Sequence, residues 1–153
     1  MILAVVAAVS VGVIGGLFFA FSTSVMPALR RLPPAQGMVA MQSINVSILN
    51  PIFLTTFLGS TVSCIAVALT APFSDAGSPG LLMAGALVYL IGGFGVTAVV
   101  NVPMNRAIET VDPTVPDSSV AWARYLKRWT AANHVRAAAS MGASALLTVG
   151  LLG

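Results

Sequence analysis

Polar side chains able to bind or move charge recur at helical spacing in the second half of this chain. Asn101 and Asn105 are four apart, and Trp129, Asn133, Arg136 and Ser140 follow at steps of four, three and four. Residues three or four apart share a helix face, so each set makes one polar stripe. His134, the only histidine, sits about 100° round the helix from Asn133. Its side chain alone has an ordinary pKa suited to proton transfer near neutrality. Arg136, with the amides of Asn105 and Asn133, could stabilise an oxyanion as charge develops. Asn45, Asn101, Trp129, Met41 and Met104 could hold the body of an apolar ligand through amide hydrogen bonds, ring stacking and thioethers that mould to bulky groups. His134, Arg136, Asn105 and Asn133 are thus the expected catalytic groups, and the other five the expected substrate contacts.

Each residue also has a plainer reading that the sequence leaves open. Arg136 can snorkel to lipid phosphates or bond loop carbonyls, and His134 can be structural or solvated at a helix start. The asparagines can fasten helices together. Trp122, Tyr125 and Trp129 fit an interfacial aromatic belt, and Met26, Met38, Met41 and Met104 can fill gaps. Other chemistries find no support. His134 and the loop acids Glu109, Asp112 and Asp117 have no metal-ligand spacing, and Cys64, the single cysteine, excludes a disulfide within the chain. There is no phosphate loop, G-x-S-x-G or Cys/His pair.

These residues need elements to position them, and composition says what kind. Of 153 residues 58% are hydrophobic and 7% charged, far below the roughly one quarter charged in a soluble domain. Residues 1–29, 32–74, 76–105 and 137–153 carry no charge at all. Stretches that long can cross a bilayer. The first run is longer than a signal-peptide core and has no basic residue before it, so it reads as a retained span. Met26-Pro27 closes that span, Pro34 can open the next helix, Pro51 should kink it, and Phe73–Gly80 is a turn. The apolar tail 137–153 covers only about 25 Å, so the last span must borrow from its N-terminal side. That draws Asn133, His134 and Arg136 to the membrane edge. The expected fold is an all-α integral membrane four-helix bundle, one domain over 1–153, with spans near 2–26, 43–70, 81–103 and 132–152. Its second and fourth helices extend into the cytoplasm.

Arg30 and Arg31 lie in the first connection, Arg106, Arg124, Lys127 and Arg128 in the third, and no basic residue lies in the second. The positive-inside rule then puts both basic connections in the cytoplasm and both termini outside, in an inner or plasma membrane. This charge distribution follows from topology and does not imply nucleic-acid binding. It gathers Asn45, Asn50, Asn101, Asn105, Asn133, His134 and Arg136 into the cytoplasmic half. Pro27-x-x-Arg30 and Pro103-x-x-Arg106 end the first and third spans alike, a short parallel repeat. Gly12/Gly16, Gly59/Ser63, Gly92/Gly93/Gly95 and Ser140/Ser144 supply small residues for close helix contact; the GxxxG permits a homodimer without requiring one.

At Asn101-Val102-Pro103-Met104-Asn105, followed by Trp129-x-x-x-Asn133-x-x-Arg136, the chain resembles the family of small membrane proteins that includes the anthrone oxygenases. The likeness extends to Phe21–Pro27 and to Ile44-Asn45 through Pro51. Membership would imply oxidation of an anthrone, an apolar polycyclic, to an anthraquinone by O₂ without a dedicated metal or flavin. It would carry over to Asn101, Asn105, Trp129, Asn133 and Arg136; a histidine at 134 is not part of the pattern. The expected function is therefore a membrane-embedded, cofactor-free monooxygenase acting on an anthrone-type substrate that enters from the lipid bilayer. The alternative is a non-enzymatic binder, accessory subunit or scaffold whose polar cluster fastens helix ends, with a transporter third.

Overall fold

The computed structural model describes residues 1–74 and 77–153, and every regular element among them is helical. α1 spans Ile2–Arg30, α2 Pro34–Ser47, α3 Pro51–Phe73, α4 Pro79–Glu109 and α5 Ser118–Leu152. The all-α class is as expected, but the helix count is not four. Where one kinked second helix was expected, there are two rods. Pro51 has no N–H to return to the Ser47 carbonyl, and it forces Asn50 into an extended backbone (φ −80°, ψ 160°). Asn50 then completes the break. Its Nδ2 donates to the Ser47 carbonyl at 3.1 Å, and its Oδ1 caps α3 by accepting from Phe53 N at 3.0 Å. The expected turn 73–80 falls partly on residues 75 and 76, outside those described.

α1, α3 and α4 are each long and apolar enough to cross a membrane. α5, which contains the expected fourth span, is not among those three. It lies antiparallel along α1: Ser144 Oγ donates to the Ala8 carbonyl at 2.8 Å, and Asn133 Nδ2 to the Phe18 carbonyl at 2.7 Å. The apolar C-terminal half of α5 therefore runs beside the N-terminal half of α1. α4 also packs antiparallel to α5, from Leu82 beside Gly150 to Asn101 beside Trp129. Outward-facing Val9, Val13, Val62, Leu69, Ile91 and Val99 are exposed, as a lipid-facing surface requires.

Apolar lipid gives helices no hydrophobic reason to associate, so backbone proximity and interhelical hydrogen bonds must hold them. A methyl group at Gly92 would overlap the Ala139 side chain, and one at Gly85 would meet Leu147 and the Ala143 carbonyl. The stripe on α1 differs from the expected GxxxG. Gly12 meets Ser144 and Gly15 meets Ser140 and Met141, while Gly16 and Gly59 face open space.

Beyond the apolar halves, α2 folds back over the N-terminal part of α5 and the end of α4. Gln42 Nε2 donates to the carbonyls of Ile108 and Val111 at 2.9 and 3.1 Å, fixing α2 to the α4 end. A second core forms there from Met26, Met38, Met41, Trp122, Tyr125 and Trp129. The aromatic residues are buried in it as a stacked ladder, with centroids 5.6 and 6.2 Å apart. An interfacial belt would leave them facing headgroups; α2 covers them instead.

α1 and α4 share one further local feature. The Met26 N–H bonds the Phe21 carbonyl, and the Val102 N–H bonds the Thr97 carbonyl, both five residues back, each immediately before a proline. Pro27 and Pro103 offer no N–H to the preceding turn and crowd its carbonyl; widening that turn to i→i+5 spacing accommodates them. The Pro-x-x-Arg repeat is thus repeated as backbone geometry at the same offset.

Candidate active site

The widened turn at Thr97–Asn101 turns the polar side of α4 toward α5 at the depth where α2 and α3 separate. A cavity of about 80 Å³ lies there, open on one side. That is below the ~300–1,000 Å³ typical of small-molecule sites, so a polycyclic ligand fits only if the walls move apart. α1 gives Leu17, Phe18 and Phe21, and the α2 to α3 region gives Met41, Ile44, Asn45, Ile48, Leu49 and Phe53. α4 contributes Thr97, Asn101, Val102 and Asn105; α5 contributes Trp129 and Arg136. The break at Ile48–Asn50 leaves Leu49 exposed on the rim, so the mouth is apolar.

Arg136 is buried, only 5% exposed, and among the described residues no carboxylate bonds it. Its Nη1 donates to Thr97 Oγ1 at 3.2 Å and its Nη2 to Asn133 Oδ1 at 2.6 Å. Its Cζ lies 4.1 Å from the centroid of Phe18 and 5.1 Å from that of Trp129, over two ring faces that attract a cation. Nε has no partner. The arginine is therefore held by neutral groups only, with its positive charge uncompensated.

Asn133 sits behind Arg136 rather than on the cavity wall. Its Nδ2 is spent on the Phe18 carbonyl and on Ser22 Oγ, each at 2.7 Å, and its Oδ1 on the guanidinium. It is a positioning residue. Asn105 Oδ1 accepts from both Trp129 Nε1 (2.7 Å) and Tyr125 Oη (2.9 Å), which fixes the indole against the cavity. Asn101 Nδ2 reaches the Trp129 carbonyl at 3.4 Å, and its Oδ1, buried, has no partner. Asn45 Nδ2 donates to Glu109 Oε1 at 3.2 Å.

Of the nine expected site residues, Arg136, Asn105, Asn45, Asn101, Trp129 and Met41 line this one cavity. His134, expected as the base, is exposed and not on its wall, because the step of about 100° from Asn133 carries it outward. Met104 lines a different groove, with Arg124 and Arg128. Thr97 and Phe18 were not among the expected residues. The four-residue steps 97, 101 and 105 could have pointed to Thr97; no sequence signal marks Phe18 as a ring under Arg136. Among the described residues, Arg136 is the only ionisable side chain on the cavity wall, and no three His, Cys, Asp or Glu converge as a metal site.

The family model described as anthrone oxygenase matches residues 44–146, about two thirds of the chain. The chain belongs to the anthrone oxygenase family. Every polar residue on the cavity wall falls inside the match; of the lining, only Leu17, Phe18, Phe21 and Met41 lie outside it. No curated protein and no solved structure matches the chain.

Proposed function

We propose that this anthrone oxygenase family member oxidises an anthrone-type aromatic ketone with O₂ inside the membrane, in the cavity around Arg136. The observation that carries the reading is a buried guanidinium without a counter-charge on the wall of a mostly apolar cavity whose other polar groups are neutral. Loss of the anthrone C–H proton gives an enolate whose charge collects on the ring ketone oxygen, and Arg136 offers that oxygen a preorganised cation in a low-dielectric site. The enolate then passes an electron to O₂. Recombination forms a C–O bond to a peroxide anion; its O–O bond breaks as the remaining C–H hydrogen leaves with the outer oxygen as hydroxide, giving the quinone carbonyl, and the hydroxide takes up the proton first lost to make water. Overall, one anthrone and one O₂ give one anthraquinone and one water. Trp129, Phe18 and Phe21 supply ring faces for the substrate, and Asn105 holds Trp129 in place.

An apolar polycycle gathered at the membrane surface reaches the cavity sideways over Leu49. We place the end bearing Arg30, Arg31, Arg106, Arg124, Lys127 and Arg128 in the cytoplasm, with α5 as a fourth crossing beside α1. The test is aerobic turnover of an anthrone by the purified protein in lipid nanodiscs. Oxygen uptake equal to quinone formed is expected, at a rate well above protein-free nanodiscs. A rate no higher than that blank for a panel of anthrones would leave the competing reading, a ligand binder or scaffold. The bonds from Asn133 to α1 and from Arg136 to α4 favour that second reading, since together they tie three helices.

A further inference from the structure

We infer that the cavity captures its aromatic ligand already deprotonated, as an enolate or phenolate formed in water or at the membrane surface, and supplies no base of its own. This rests on the ligand class proposed above but not on turnover. Arg136 is the starting point: a cation removed from water is costly unless something compensates it, and here its neighbours are a hydroxyl, an amide and two rings. A bound oxyanion with a delocalised charge and a large apolar body completes the site electrically and suits walls that are otherwise side chains such as Leu17, Phe21 and Phe53. A neutral ketone would leave the guanidinium uncompensated.

The groups around Arg136 give no alternative source of a proton acceptor. From α1 it meets Phe18 and from α4 Thr97; α2 and α3 bring only uncharged side chains to the cavity. On α5 itself the titratable group that acts on it is Tyr125, which Glu109 on α4 influences in turn. Burial pushes the Tyr125 phenol up, so it stays neutral through the neutral and mildly alkaline range. His134 is exposed and off the wall. A pH dependence of binding whose midpoint follows each ligand's own acidity therefore belongs to the ligand.

The test uses hydroxyanthraquinones, which bear a phenol but cannot be oxidised as an anthrone is, chosen so that ring substituents spread their phenol acidities. Their affinity for the full-length protein in zwitterionic nanodiscs is measured between about pH 5.5 and 9.5. Affinity should rise about tenfold per pH unit up to each ligand's own ionisation and then level off, with midpoints ordered by ligand acidity. The methyl ethers should bind weakly and without pH dependence. One midpoint shared by all ligands, methyl ethers binding as tightly as the phenols, or no binding by any phenol would overturn the inference. Arg136→Gln, confirmed folded by its melting temperature, should lose the pH dependence; retaining it would also overturn the inference. Because no oxygen is consumed here, turnover measured on the same preparation reports separately on the oxidation reading.

Discussion

Asn105 holds two donors on one carbonyl oxygen, the Trp129 indole and the Tyr125 hydroxyl. Asn105→Leu strands both, at a cost of about 1–3 kcal/mol for each buried donor left unpaired. Thermal unfolding in detergent should show that loss, while Asn105→Asp, which keeps an acceptor there, should recover much of it. At this scale the sequence was most legible where residues recur at helical spacing. The stripe Trp129, Asn133, Arg136 lies on one side of α5, and all three side chains do engage one another or a shared neighbour. Their division of labour was not legible. Which amide reaches the cavity and which is consumed behind it depends on where α1 passes, and nothing local to Asn133 announces the Phe18 carbonyl. His134 shows the same limit, since its chemistry suited a base but its azimuth did not.

Close approach of α4 to α5 depends on Gly92, where an added methyl has no room against Ala139. Gly92→Ala should separate the helices and cost about 1–3 kcal/mol, read as a lower melting temperature; Gly16→Ala, in open space, should leave it unchanged. Asn50→Ala removes both the α3 cap and the cover over the Ser47 carbonyl, for a loss of about 1 kcal/mol, and should loosen the rim of the cavity. Pro34 opens a helix as read, because a missing donor is a local fact, but Pro27, read as closing the first span, lies inside α1, which runs on to Arg30. The prolines did not reveal that Pro51 separates two rods while Pro27 and Pro103 are absorbed by widened turns. That difference lies in what surrounds each proline: an Asn50 that can cap a new helix, against a long helix packed on its neighbours. The aromatic ladder was read as a belt because its cover, α2, is distant in the chain.

Among the described residues, apolar surface faces outward along the spans, while charge gathers at one end and in one cavity. If that end is cytoplasmic, a membrane-impermeant maleimide will label Gly153→Cys in intact cells and Thr114→Cys only after permeabilisation, both in a Cys64→Ser background. The reverse pattern would invert the topology. The long uncharged runs announced a helical bundle, because an apolar stretch of that length satisfies its backbone within itself as a helix. They did not announce a cavity, which arises from the gap between α2 and α3. The central claim is that this cavity, through Arg136, does oxidative chemistry. Quinone formation and oxygen uptake with an anthrone, compared among wild type, Arg136→Gln and His134→Ala in nanodiscs, test it most directly. The account predicts a loss of roughly 10²-fold for Arg136→Gln and an unchanged rate for His134→Ala; equal rates for wild type and Arg136→Gln, or a collapse confined to His134→Ala, would contradict it.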